Sequence, residues 1–250
     1  MKKGTKITHK SYPFNADGDH DINIPKTPPL SEEERNAAFD DPEQLFFQIA
    51  NGKLYGVNKL IFKGRRFTIL EPNPVTFYFS LAMDAQPQIE HAHLQLENSL
   101  NNLKSSWPIE VSYSYIFRVS ALFVITAFTA CEAFLNQHLP DFKEIQLSDG
   151  KFYTKKDIVY AKFDKKLDAV NRYTGKNFSK AYPHKMKRLI YLKNLRNELI
   201  HLKEKQGLAA SYNVIYQNVL DLDARSLINT VKSFINYYEP KLIINYNYNS

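Results

Sequence analysis

The sequence predicts a mainly α-helical protein, a bundle of four to five helices with a small N-terminal extension that contains a β-hairpin. Three observations lead to this prediction. From residue 86 onward, apolar residues recur at intervals of three and four, as they do on one face of a helix. Proline and glycine residues separate these periodic segments. Earlier in the chain the apolar runs are short and are bounded by turn residues, so we expect two regions, residues 1–80 and residues 81–250.

The N-terminal region divides into an arm and a hairpin. Residues 1–43 are rich in Pro, Asp, Asn and Lys, which predicts an extended arm. Residues 59–62 and 66–70 are two apolar runs on either side of Lys63-Gly64-Arg65, a pattern typical of a short β-hairpin. The cluster Glu71-Pro72-Asn73-Pro74 then interrupts the chain.

The C-terminal region has four segments with strong helical periodicity. They are residues 89–103, 114–139, 183–205 and 224–238. We expect Trp107-Pro108 to end the first of them and Gly207 to follow the third. The second is apolar on nearly every side, which is typical of the central helix of a bundle. Residues 141–182 form a basic and aromatic connection between the second and third helices.

The longest apolar stretch runs from Val119 to Cys131 and is too short to cross a bilayer, for which about 20 residues are needed. We therefore expect a buried helix there and no membrane partner. The basic start of the chain is followed by polar residues where a signal peptide has its apolar run. One cysteine excludes a disulfide framework. Together these features predict a soluble protein of the cytoplasm.

The charge of the chain is concentrated in one segment. The formal net charge is +7, yet residues 1–150 carry 14 basic and 18 acidic side chains, whereas residues 151–206 carry 16 basic and 5 acidic ones. This pattern is typical of a polyanionic partner, with nucleic acid first, and equally of a solvated lysine-rich loop and helix face. A third interpretation is a helical adaptor whose basic segment docks on an acidic protein or membrane surface. The candidate RNA-binding side chains are Lys155, Lys156, Lys162, Lys165, Lys166 and Lys193.

Most other polar candidates predict no chemistry. His91 and His93 would point about 200° apart on a helix, so they cannot share a metal ion. Cys131 lies among apolar neighbours and is expected to be a buried hydrophobic residue. The sequence has no glycine-rich phosphate loop and no paired cysteines. We expect neither a metal site nor a cofactor.

The third helical segment is different. Its apolar stripe is formed by Leu189, Leu192, Leu195, Leu199 and Leu202. Lys193, Asn197 and His201 follow one another at intervals of four on another face. Arg196 and His201 are separated by about 140° and about 7.5 Å along a straight helix, so they flank a site on one chain. Two copies around a twofold axis would supply an arginine and a histidine each to one cleft.

Arg196, Asn197 and His201 resemble the Arg-x4-6-His signature of the HEPN superfamily, in which Asn, His or Asp commonly follows the arginine. A second segment is similar to the earlier HEPN helix. Residues 128–136 have an alanine-containing apolar run, then Glu132, then an apolar-Asn ending at Asn136. The resemblance covers about residues 86–240 and implies a HEPN-like helical bundle.

The resemblance also implies a function, that of a metal-independent endoribonuclease in which the 2′-hydroxyl of RNA attacks the neighbouring phosphate. His201 would accept or deliver a proton, and Arg196 would hold phosphate oxygens. Asn197 would fix the orientation of the imidazole or bond a phosphate oxygen, and Glu132 would hold Arg196. Such proteins act as homodimers, often as toxins or in antiviral defence, under a regulatory or antitoxin partner. Because many members bind without cutting, the alternative is a non-catalytic HEPN-like RNA-binding or protein-interaction module.

Overall fold

The computed structural model describes residues 2–5, 7–13, 31–41, 46–50, 53–101, 107–201 and 212–248. Within these residues the chain is mainly helical, as predicted, with nine helices and eight short strands. The helices are α1 (Glu32–Asp40), α2 (Pro74–Asn101), α3 (Trp107–His138), α4 (Lys155–Val159), α5 (Phe163–Thr174), α6 (Phe178–Ala181), α7 (Pro183–Ile200), α8 (Asn213–Leu220) and α9 (Ala224–Tyr238). The strands are β1 (Lys2–Thr5), β2 (Ser11–Pro13), β3 (Phe46–Ala50), β4 (Lys53–Phe62), β5 (Arg65–Leu70), β6 (Glu144–Gln146), β7 (Phe152–Thr154) and β8 (Asn245–Tyr248).

The chain forms two compact units. One comprises Ile7–Asn73, and the other comprises Met1–Lys6 together with Pro74–Ser250. The boundary expected between residues 80 and 81 lies inside α2, and the units divide instead before Pro74. Proline suits this position because the first residue of a helix needs no N–H donor within the helix.

The smaller unit contains the hairpin that the sequence predicts. β4 and β5 pair antiparallel with Phe62 opposite Arg65, so the turn consists of Lys63 and Gly64. Both turn residues have positive φ, 49° and 75°, which is the backbone of a tight hairpin turn whose twist matches that of the strands. β4 also pairs with β2 and with β3.

The prediction of an extended arm over residues 1–43 is wrong where α1 forms. Ser31 starts this helix through two reciprocal hydrogen bonds. The Glu34 N–H donates to the Ser31 hydroxyl (3.2 Å), and the Ser31 N–H donates to the Glu34 carboxylate (2.8 Å). These bonds lower the pKa of Glu34. α1 has no apolar stripe, so periodicity did not indicate it, although the Ser-x-x-Glu spacing is a helix-start signal. Residues 14–30 of the arm lie outside the described residues.

The larger unit differs from the prediction mainly at helix ends. α2 begins at Pro74 rather than near residue 86, and α3 begins at Trp107. Trp107-Pro108 therefore opens α3 instead of ending the helix before it, which is possible because proline is tolerated in a first helical turn. α9 has the predicted bounds. α7 ends at Ile200, and the expected Gly207 stop lies outside the described residues.

α3 is the central helix of the larger unit, as predicted. It packs against α2, α5, α7, α8 and α9. Its fully buried side chains include Ile116, Phe123, Val124, Ala127, Phe134 and Leu135. By length and composition the segment Pro108–His138 resembles a membrane span, but 61% of its most apolar window is buried inside the protein. This burial is consistent with a soluble protein.

The connection between α3 and α7 is ordered. β6 and β7 form a small antiparallel hairpin, and α4, α5 and α6 follow it. α5 is anchored to α3 by Phe163, whose ring centroid lies 5.1 Å from that of Phe128. This packing fixes the basic segment against the central helix.

Tyr238 gives a stability prediction. Its hydroxyl donates to Asn171 Oδ1 (2.5 Å) and accepts the backbone N–H of Phe178 (3.3 Å). Tyr238→Phe leaves both partners without this bond, so we expect the free energy of unfolding to fall by about 1–3 kcal/mol at neutral pH. Urea denaturation measures this change.

The same hydroxyl has a pH signature. Burial raises the pKa of Tyr238 to about 12, whereas an unfolded tyrosine titrates near about 10. The unfolded state therefore releases its proton first, and stability falls as pH rises from about 10 to about 12. Tyr238→Phe should show a shallower decline over this range. An unchanged free energy at neutral pH together with an unchanged alkaline slope would contradict the assigned hydrogen bonds.

Candidate active site

The candidate site is built on the C-terminal half of α7, which packs against α3 through its apolar stripe. The buried members of that stripe are Leu189, Leu192, Leu195 and Leu199, as the sequence predicts. Leu202 lies outside the described residues. Because the leucines fix the rotation of the helix, the side chains of Arg196 and Asn197 are directed along its edge toward α3 and solvent.

Arg196 is held by two helices. Its Nη2 donates to Glu132 Oε2 of α3 (3.3 Å), and its Nη1 donates to Asn197 Oδ1 of the same helix (3.1 Å). The guanidinium carbon also lies 6.0 Å from the centroid of the Phe128 ring. The structure thus brings together three of the four residues that the sequence singles out, with Glu132 in the holding position that was expected.

The guanidinium retains capacity for an anion. It has five N–H donors, and the two hydrogen bonds use two of them. Arg196 Nε is buried and has no hydrogen-bond partner within the described residues. The side chain of Arg196 is 25% exposed and that of Glu132 is 31% exposed, so solvent and a bound ligand can reach this pair.

A second cation, Lys166 of α5, lies near Glu132. Lys166 of α5 donates from Nζ to Asn136 Oδ1 (2.6 Å), one turn after Glu132 on α3. Burial lowers the pKa of Lys166, and the nearby Glu132 carboxylate partly opposes that shift. Sequence reasoning named Lys166 for RNA contact, but not this contact with Asn136, because it joins residues that are distant in sequence.

His201 is the first residue after α7. Its backbone N–H donates to the Asn197 carbonyl (3.0 Å), and its φ and ψ of −113° and 51° are not helical. The residue is exposed. Because the bond to Asn197 is the i to i−4 bond of an α-helix, the His201 backbone N–H still lies at the next helical position after Ile200, and the φ and ψ of His201 end the helix there.

The six candidate lysines differ in their surroundings. Lys193 Nζ contacts both carboxylate oxygens of Asp164 (2.9 and 3.0 Å), and Lys155 Nζ contacts Asp141 (2.9 Å). Lys165 donates to the Tyr153 hydroxyl (2.6 Å).

The other lysines are less engaged. Lys166 binds Asn136, as described above. Lys156 and Lys162 are exposed and make no side-chain hydrogen bond or ion pair within the part of the chain that the structure describes. Because Lys155 and Lys193 are paired with carboxylates, fewer lysines are free to bind an anion than the count of lysines suggests.

The surroundings of Cys131 agree with the sequence analysis. Cys131 is fully buried, and its burial raises the pKa of the thiol far above its usual range. Among the described residues, no three His, Cys, Asp or Glu side chains are grouped so that they would hold a metal ion.

The chain was compared with protein-family models, with curated proteins and with solved structures, and no match was found.

Proposed function

We propose that this protein is a metal-independent endoribonuclease whose active site lies at the C-terminal end of α7. One observation carries the proposal. Arg196 is oriented by Glu132 of α3 and by Asn197, and the exposed His201 follows Asn197 by one helical turn at the end of the helix. A fixed guanidinium and an accessible imidazole, five residues apart at one helix end, are side chains that can bind a phosphate and move a proton, the two tasks of phosphodiester transfer.

Each group has a role in the proposed reaction. The 2′-hydroxyl of RNA gives up its proton to a base, its oxygen bonds to the adjacent phosphorus, and the bond to the 5′-oxygen breaks as that oxygen gains a proton. His201 moves a proton in this exchange. Arg196 binds the non-bridging oxygens while negative charge grows on them. Asn197 orients Arg196 or bonds a phosphate oxygen, and Glu132 positions Arg196.

The proposed RNA surface extends from this site along α5 and α4. Lys156 and Lys162 supply unpaired ammonium groups, and Lys166 lies beside Glu132. Lys193 and Lys155 are paired with carboxylates, and Lys165 is held by the Tyr153 hydroxyl, so these three ammonium groups are less available to phosphates. RNA binding with a moderate salt dependence is expected from so few free lysines.

The direct experiment is incubation of the protein with total cellular RNA in excess chelator. Wild type should fragment the RNA, and His201→Ala, purified in the same way, should not. Fragments are expected to carry a 2′,3′-cyclic phosphate (or its 3′-phosphate hydrolysis product) and a 5′-hydroxyl. Loss of all cutting in chelator, or fragments with a 5′-phosphate, would contradict the proposal.

A second candidate function rests on the same ion pair. Arg196 and Glu132 join α7 to α3, so the pair has a structural use even without catalysis. A non-catalytic RNA-binding or protein-interaction module is the function that this use favours. An RNA-binding module is distinguished from an endoribonuclease if RNA binds the wild type and is recovered uncut at every protein concentration tested.

We further propose that the working unit is a homodimer. A twofold-related copy would bring a second Arg196 and His201 to one cleft, which a single exposed helix end leaves open to solvent. Light scattering at micromolar concentration should give twice the mass of the chain. Mixing inactive Arg196→Ala with inactive His201→Ala should restore part of the activity through mixed dimers. A monomer with full activity would contradict this proposal.

We also propose a cellular setting for this activity. We place the protein in the cytoplasm, where RNA is accessible and where one buried cysteine fits a reducing environment. A toxin or phage-defence role, held in check by a partner protein, is the setting that the sequence resemblance supports. Induced expression in a bacterial host tests it, because wild type should arrest growth and His201→Ala should not.

A further inference from the structure

An open cleft lies on the connection between α3 and α7. Side chains from the end of β7, from α4 and from the start of α5 line it, and its volume is about 940 Å³. This is at the upper end of the range of about 300–1,000 Å³ that is typical of sites for small molecules. The volume is enough for a nucleotide.

The charges in the cleft favour an anion. Lys156 and Lys162 line it without a side-chain partner in the described part of the chain. Asp164 binds Lys193, whereas Asp157 keeps its negative charge and interacts with Lys156 and Lys165. The lining contains three lysines and two carboxylates, so its positive charge is in excess.

Two tyrosines give the cleft aromatic walls. Tyr153 is fixed, since its hydroxyl donates to Asp149 (2.7 Å) and accepts from Lys165, whose Nζ also lies 4.1 Å from the centre of the ring. Tyr160 is 83% exposed, the highest value among the exposed large hydrophobic side chains of the described residues. An exposed ring beside free ammonium groups is the combination that binds unpaired bases and their phosphates.

The cleft is connected to the candidate active site through Asp164. This residue lines the cleft and holds Lys193 of α7. Lys193 precedes Asn197 by one turn and His201 by about two, which corresponds to about 6 Å and about 12 Å along a helix. An RNA strand at the end of α7 would reach the cleft within a few nucleotides.

We propose that the cleft binds one unpaired nucleotide of single-stranded RNA, with its base stacked on Tyr160 and its flanking phosphate bound by Lys156 and Lys162. The inference rests on the proposed function for the identity of the strand. It assigns the substrate class, RNA with at least one unstacked base near the cut, and it names Tyr160 as a residue that determines specificity.

The test measures RNA binding apart from cleavage. In a His201→Ala background, Tyr160→Ala should weaken binding of a mixed-sequence single-stranded oligoribonucleotide about tenfold or more, and should leave binding of the matching RNA duplex unchanged. Tyr160→Phe keeps the ring and should bind like the parent. Tyr173→Ala is the matched control, because Tyr173 is also well exposed (66%) but does not line the cleft.

The lysines are tested in the same background. The double variant Lys156→Gln with Lys162→Gln should weaken single-strand binding and flatten the slope of log affinity against log salt by about 1.4, the value for two lost phosphate contacts. Lys180→Gln with Lys187→Gln is the control, since both lysines are exposed and outside the cleft.

Two outcomes overturn the inference. One is single-strand binding that is unchanged in Tyr160→Ala, and the other is an equal loss of binding in Tyr173→Ala.

Failure of the proposed function is a separate result. If wild type cuts no RNA but single-strand binding depends on Tyr160, the cleft assignment holds and the ribonuclease proposal fails. If wild type cuts RNA and Tyr160→Ala binds and cuts equally well, the cleft assignment fails alone.

Discussion

Replacing His201 by alanine is expected to lower the rate of RNA cleavage by at least about 100-fold. The variant loses the group that takes or delivers a proton near neutral pH, and general acid or base catalysis contributes about 10²–10⁴-fold to such reactions. The measurement is the initial rate on a labelled single-stranded RNA in excess chelator, with enzyme in excess over substrate so that binding does not limit the rate.

Folding should not change in this variant. His201 is exposed and follows the last residue of α7, and its helix contact is made by the backbone N–H, which alanine retains. We expect the free energy of unfolding to stay within about 0.5 kcal/mol. His184→Ala is the matched control, because His184 is an exposed histidine near the first turn of the same helix. An equal loss of rate in His184→Ala would mean that the effect is not specific to the site.

Replacing Arg196 by alanine is expected to lower the cleavage rate by about 10²–10³-fold. One preorganised hydrogen-bond donor to the negative charge of a transition state contributes about that much. Arg196→Lys should also be slow, since an ammonium cannot bond Glu132, Asn197 and a phosphate with the geometry of a guanidinium. Arg188→Ala is the control, because Arg188 is an exposed arginine of the same helix.

The free energy of unfolding of Arg196→Ala distinguishes a catalytic role of Arg196 from a purely structural role of its ion pair with Glu132. The Arg196–Glu132 pair is partly exposed, so we expect Arg196→Ala to lower the free energy of unfolding by only about 1 kcal/mol. Glu132→Gln should keep most of the stability and lose part of the rate, because Arg196 would be less firmly oriented. If Arg196→Ala instead unfolds the protein while wild type cuts no RNA, the pair has only the structural use.

The sequence predicts helices well where one apolar stripe is regular. α9 has the predicted bounds because Leu227, Val231 and Phe234 recur at helical intervals and are buried. The sequence predicts helices poorly where the helix signal is local or mixed. The first turns of α2 contain buried Val75 and Phe79, but the cluster Glu71-Pro72-Asn73-Pro74 directly before them indicates an interruption of the chain. α1 depends on the Ser31 cap and has no stripe to detect.

The candidate site is predictable only in part from the sequence. The positions of Arg196, Asn197 and Glu132 relative to one another follow from two helices that must pack together. The ion pair of Lys193 with Asp164 and the contact of Lys166 with Asn136 depend on how α5 lies against α3 and α7, which local patterns do not specify. The end of α7 at Ile200 is not predicted, because the apolar stripe continues to Leu202 and the expected Gly207 stop comes later in the sequence.

The most direct test of the proposed reaction uses one RNA in two forms. An oligoribonucleotide that wild type cuts at a single position is compared, in excess chelator, with the same oligonucleotide carrying a 2′-deoxynucleotide immediately 5′ to the cut. We expect a 2′,3′-cyclic phosphate and a 5′-hydroxyl from the first, and no cut at that position in the second. Cutting at the deoxynucleotide, or a 5′-phosphate on the product, would contradict the mechanism proposed for Arg196 and His201.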